Sequence, residues 1–110
     1  MEINVSRIAK FNAMNSAIAP ADVIDDVLTL EGMFTFNDDV VNSETGEVEN
    51  KTLIGLITDK GAISSPSATL VDSAVKLAEI FEDEIVGMKI KITTNKSNSG
   101  RTFYRLECVE

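Results

Sequence analysis

The stretch that decides the fold is Val86–Val109, VGMKIKITTNKSNSGRTFYRLECV. Val86, Met88, Ile90 and Ile92 alternate with Gly87, Lys89, Lys91 and Thr93. A period of two puts an apolar row on one face of a strand and a Lys-Lys-Thr row on the other. Asn95–Gly100 supplies the Asn, Ser and Gly of a hairpin loop. The return strand alternates again, with Tyr104, Leu106 and Cys108 on one side and Phe103, Arg105 and Glu107 on the other. From Val86 to Leu106 there is no acid, while Lys89, Lys91, Lys96, Arg101 and Arg105 all fall there. This happens in a chain of formal net charge -8. Segregation of the positive charge is the first functional signal.

Upstream of the hairpin, Ser65-Pro66 opens a helix, with Ser65 as cap and Pro66 at the first helical position. Leu70, Ala74, Leu77, Ala78 and Phe81 recur at i, i+4, i+7, i+8 and i+11, one stripe. Asp72, Ser73, Lys76, Glu79 and Glu82 cover the other face. Further upstream, Lys51–Thr58 (KTLIGLIT) reads as a strand apolar on both parities, hence central or buried on both faces. It pairs back on a strand over Val27–Asn37, where Leu28, Leu30, Phe34 and Phe36 share parity. Gly32 and Gly55 inside these strands mark bulges or bends. Asp38–Asn50 is predicted to be a polar loop turning at Thr45-Gly46, and Asp59-Lys60-Gly61 a turn. Ile3–Phe11 is predicted as the first strand, followed by a connection over Asn12–Ala21 that Pro20 ends.

The order strand, strand, strand, helix, strand, strand predicts a mainly β (α+β) domain over residues 1–110. Its expected architecture is a five-stranded OB-like barrel with one helix between strands three and four. At 110 residues one domain can fold unaided.

Composition narrows the chemistry. There is no His, which removes the commonest general base and neutral metal ligand. The single cysteine, Cys108, excludes an intrachain disulfide and sits at an inward strand position, as a small core residue would. Asp38–Glu49 fails as an EF-hand because Val40 occupies the third position. No phosphate-cradling glycine loop occurs. The sequence therefore predicts no catalytic residues, no metal and no small-molecule cofactor. No apolar run approaches the roughly 20 residues of a membrane span. The N-terminus lacks a signal pattern, and a cytoplasmic protein with no membrane partner is expected.

Two readings of the surface remain. In one, Lys89, Lys91, Lys96, Arg101 and Arg105 meet phosphates, with Phe103 or Tyr104 stacking on a base and Lys10 and Lys51 contributing. A positive groove with aromatic platforms holds single strands in this way. Lysines on an edge hairpin also deter sheet-to-sheet aggregation without binding anything. In the other, the acidic region binds a host protein, as a nucleic-acid mimic. Between Phe11 and Asn50 there is no Lys or Arg, while Asp22, Asp25, Asp26, Glu31, Asp38, Asp39, Glu44, Glu47 and Glu49 fall there.

RIAKFNA (Arg7–Ala13), SETGEVENKTLIGLITDKGAIS (Ser43–Ser64), VDSAVKLAEIF (Val71–Phe81) and MKIKITTNKSNSGRTFYRLEC (Met88–Cys108) together resemble the single-stranded-DNA-binding proteins of small protein-primed podophages. The last element is the most specific, and the similarity spans nearly the whole chain. The resemblance implies a bacteriophage protein in the bacterial host cytoplasm that coats displaced single strands during DNA replication. Coating would be sequence-independent and cooperative, with self-association along the strand, on an OB-like fold. Members of that family stack bases on tyrosines in the middle of the chain. Here the only tyrosine is Tyr104, and Phe11, Phe34 and Phe36 are the rings outside the helix and hairpin.

Overall fold

A computed structural model describes residues 1–15, 17–42, 44–96 and 98–109. The chain runs β1 (Glu2–Ile3), α1 (Arg7–Asn15), β2 (Leu28–Val41), β3 (Val48–Thr58), β4 (Gly61–Ser65), α2 (Ala68–Phe81), β5 (Lys89–Lys96) and β6 (Thr102–Cys108). Short 3-10 turns occupy Pro20–Val23 and Glu82–Ile85. The expectation of a mainly β chain holds. The number and placing of the elements differ: six strands and two α-helices among the described residues, in one open antiparallel sheet of order β4-β3-β2-β5-β6, with β1 beside β2.

The hairpin at the C-terminus pairs as its alternation requires, from Ile90 opposite Cys108 to Lys96 opposite Thr102. Next to it, β2 serves two neighbours. Leu28 and Thr29 pair with Ile90 and Lys89. After a register shift between Leu30 and Gly32, the rest of β2 pairs with β3 down to Val41 opposite Val48. The extra residue is a β-bulge, which bends and twists the strand, and it lies where Gly32 signals it. A side chain at Gly32 has no room. A Cβ there would lie 2.5 Å from the carbonyl oxygen of Asn4 and 2.8 Å from that of Ile3.

The bend closes one core between the sheet halves and α2. Leu28, Leu30, Met33, Ile54, Leu56, Ile63, Ile90 and Ile92 meet Leu70, Ala74 and Leu77 there. Ser73 ties helix to hairpin: its Oγ accepts from the Leu106 N–H (3.1 Å) and donates to the Leu70 carbonyl (3.1 Å). As expected of a strand buried on both faces, β3 also has apolar contacts behind it. Phe34 and Leu53 are buried on the reverse face with Ala13 of α1. Phe34 stacks on Phe36 at 5.3 Å between centroids.

Four expectations are corrected. Arg7–Asn15 is helix, not strand, and the connection predicted from Asn12 begins only after it. Ser6 caps the helix, its Oγ accepting from the Ala9 N–H at 3.1 Å, and Ala9 and Ala13 at i, i+4 let it approach the sheet closely. The loop predicted over Asp38–Asn50 is mostly ladder, with Asp38 opposite Lys51 and Asp39 opposite Asn50. Cross-strand polar pairs sustain it, such as Thr52 Oγ1 donating to Asn37 Oδ1 at 2.9 Å. Only the tip turns, with Gly46 at φ 73°. Gly61–Ser65 is a strand the turn signals concealed. Finally, α2 starts at Ala68, and its cap is Ser67, whose Oγ accepts from the Leu70 N–H at 3.4 Å, rather than Ser65. Ser67→Ala is expected to cost about 1 kcal/mol, read from the urea midpoint. An unchanged midpoint would contradict that role.

Candidate nucleic-acid interface

Cross-strand partners in an antiparallel pair point to the same face, so the register of β5 and β6 assigns every side chain. Ile90, Ile92, Thr94 and Lys96 face inward with Cys108, Leu106, Tyr104 and Thr102. Lys91, Thr93 and Asn95 face outward with Glu107, Arg105 and Phe103, and Lys89 shares their parity. The outer face therefore collects Lys89, Lys91, Arg105 and Phe103, together with one carboxylate, Glu107, opposite Lys91. Same-face side chains along a strand stand about 7 Å apart, and directly opposed ones about 5 Å. The array is thus a compact grid.

Its electrostatics differ from those of the other cations. Among the described residues, no carboxylate lies within 4.0 Å of Lys89, Lys91, Lys96 or Arg105. Lys89 Nζ donates to Thr29 Oγ1, at 3.5 Å. Lys10 is paired with Glu2 and sits over the Phe34 ring, Lys51 lies 3.5 Å from Glu49, and Lys60 lies 3.5 Å from Asp26. Arg101 Nη2 lies 3.0 Å from Glu44 Oε1, which joins the hairpin loop of β5 and β6 to the acidic end of β2 and β3. The two supporting lysines and Arg101 are therefore engaged by acids, whereas the strand cations have no such partner within 4.0 Å among the described residues.

The rings separate in the same way. Phe103 is half-buried on the outer face, opposite Asn95. Tyr104 turns inward, packs at the margin of the core, and lines an open cleft of about 730 Å³ with Pro20, Lys51, Ser65, Pro66 and Val71. That cleft is bordered by β3, the end of β4, the start of α2 and β6. Lys96 has the inward parity of Tyr104 but stands exposed beyond the end of the core. Phe34 is 1% exposed and cannot stack on a base, Phe36 is half-buried against it, and Phe11 is exposed on α1, across the sheet. Cys108 is exposed at the rim rather than in the core, its Sγ 3.8 Å from Met88 Sδ. Inward parity continues past the point where α2 covers the sheet.

Sequence reasoning puts Thr93 on the Lys-Lys-Thr row without giving it a contact and passes over Asn95, although its parity places it on the same outer face. Thr93 Oγ1 is buried and has no hydrogen-bond partner among the described residues. No cluster of three or more potential metal ligands occurs among the described residues. No helix there is long and apolar enough to cross a membrane.

Comparison with known proteins gives the family. Neither the curated proteins nor the solved structures yielded a match. A family profile, described as phage single-stranded DNA-binding protein and of the phi29 type, matches residues 2–108. With a cationic, ring-bearing sheet face and a match over nearly its full length, this chain belongs to the phi29-type family of phage single-stranded DNA-binding proteins.

Proposed function

We propose that the single strand lies across the outer face of β5 and β6. The observation that carries this is the sharing of one face by Lys89, Lys91, Arg105 and Phe103, with no carboxylate within 4.0 Å of the three cations among the described residues, although Glu107 stands opposite Lys91. Membership of the family makes single-stranded DNA the ligand and phage DNA replication the setting. Phosphates neutralised by the three cations release counterions, giving a salt slope of about -2 from these contacts. Bases unstack readily in a single strand, and Phe103 offers one of them a ring face. Both contact types ignore base identity, which accounts for sequence-independent coating. The protein acts by binding alone, as a non-catalytic member of a DNA-binding family, without a cofactor, in the host cytoplasm.

The fold reading belongs to the same proposal. The bulged β2 is shared between two sheet halves, α2 closes one end of the core, and a cleft lies between Ser65 at the end of β4 and Tyr104 of β6. These features support an OB-like barrel with its last seam unzipped. Self-association along the strand is part of the proposal too.

Titration of oligo(dT) fluorescence across a series of NaCl concentrations tests the DNA face. Phe103→Ala is expected to weaken binding by about 1–3 kcal/mol, roughly 5- to 150-fold. The Phe103→Trp variant should retain affinity, and its indole fluorescence should be quenched on binding. Wild-type affinity in Phe103→Ala, together with unchanged indole fluorescence in Phe103→Trp, would move the strand off this face.

A further inference from the structure

Helix α1 shows an apolar stripe to solvent. Ile8 is 76% exposed, Phe11 64% and Met14 49%. Spaced at i, i+3 and i+6, they occupy the side opposite Ala9 and Ala13, which meet the sheet. Arg7 shares the exposed side, four residues before Phe11 and seven before Met14. The helix carries Arg7 and Lys10 and no acid. No carboxylate lies within 4.0 Å of Arg7 among the described residues.

A second exposed apolar patch has the opposite charge. At the far end of the β2–β3 hairpin, Val41 and Val48 are cross-strand partners on one face, each 63% exposed. Asp39 precedes them on that face, and Asp38, Glu44, Glu47 and Glu49 flank them in the chain; Arg101 engages Glu44 and Lys51 engages Glu49, which leaves Asp38, Asp39 and Glu47 with no cation within 4.0 Å among the described residues. An apolar pair flanked by carboxylates therefore matches an apolar stripe bearing a guanidinium. Since the two patches are different surfaces of one chain, their contact is heterologous and does not close on itself.

We infer that the hairpin end of one copy seats on α1 of the next, head to tail, between neighbours on a shared DNA strand. The inference rests on the DNA reading above and names the surfaces that neighbours would use. Two valines against three side chains bury far less than the roughly 800 Å² per partner of a stable complex. Free copies therefore stay apart, and the contact forms once the strand supplies a high effective concentration. Neither patch contains a residue of the outer face of β5 and β6, so the neighbour contact leaves the cations open.

Two measurements test it. In the first, Phe11→Ser and Val48→Ser are each titrated with poly(dT) and with a short oligo(dT) that holds one copy. Apparent affinity for poly(dT) is expected to fall on the order of tenfold in either variant, with short-oligo affinity unchanged. An equal fall on both lengths, or none on either, overturns the inference; the second result leaves the DNA face standing. In the second, Phe11→Cys/Val48→Cys in a Cys108→Ser background is treated with a short bismaleimide on poly(dT). A ladder of linked copies is expected, and only dimers when the two single variants are mixed. Dimers from Phe11→Cys alone would show α1 packing on α1 and overturn the head-to-tail arrangement. So would the absence of any linked product from the double variant.

Discussion

Replacing Lys89, Lys91 and Arg105 together with alanine is expected to lower affinity for oligo(dT) on the order of a thousandfold at low salt. Each charged contact to phosphate is worth roughly 1.5 kcal/mol, about tenfold, and the three sit on one grid, none of them within 4.0 Å of a carboxylate among the described residues. The logarithmic salt slope should flatten by about 2, since single strands release about 0.7 counterions per neutralised phosphate. Folding should be almost untouched, because outward-facing polar residues of a hairpin contribute within about 0.5 kcal/mol. Arg101→Ala provides the internal comparison. Its guanidinium is already held by Glu44 at 3.0 Å, so its loss should change the slope less than any of the three. A triple variant with the parent slope would show that the strand binds elsewhere.

The second large effect concerns stability and comes from Phe34 and Gly55. Phe34 is 1% exposed, and its ring lies across the backbone of Gly55, its partner in register. A Cβ at residue 55 would lie 2.5 Å from Cε1 and 2.8 Å from Cζ of that ring. Phe34→Ala is expected to cost about 3–5 kcal/mol through the lost burial and the cavity left behind. That is a large share of the roughly 5–15 kcal/mol typical of whole proteins. Gly55→Ala alone should cost about 1–3 kcal/mol by overpacking. In the double variant the new methyl enters the space the ring vacated, so the two costs should not add. A coupling of about 1–3 kcal/mol in urea unfolding is expected. Strict additivity would mean that the ring does not cover the glycine.

The elements legible in the sequence are those with a long uninterrupted period. The alternation of Met88–Ile92 and Phe103–Cys108 sets the hairpin, and the stripe from Leu70 to Phe81 sets α2. Gly32 marks the bulge. Elsewhere, local signals are ambiguous. Ile3, Val5, Ala9 and Phe11 share a strand parity, yet Ser6 caps a helix there, and the apolar Ile8 and Phe11 end up in solvent. The strands β2 and β3 run on past their apolar segments because Asp, Asn, Lys and Thr pair across the ladder, and composition alone reads such residues as loop. At the candidate site, parity alone sorts Phe103 from Tyr104. The engagement of Arg101 by Glu44 brings together residues 57 positions apart, which no local pattern encodes.

The bulged β2 meets β5 through only two residue pairs. The hairpin bearing the cations is held elsewhere too: Ile24 is bridged to Ile92, the Asp25 N–H donates to the Ile92 carbonyl at 2.9 Å, Ser73 ties it from underneath, and Arg101 fastens its loop to Glu44. Tied at its root, along its floor and at its loop, the hairpin presents its cations at a spacing that is set before any ligand arrives, so the polymer, with its freely turning backbone, is the partner that adjusts.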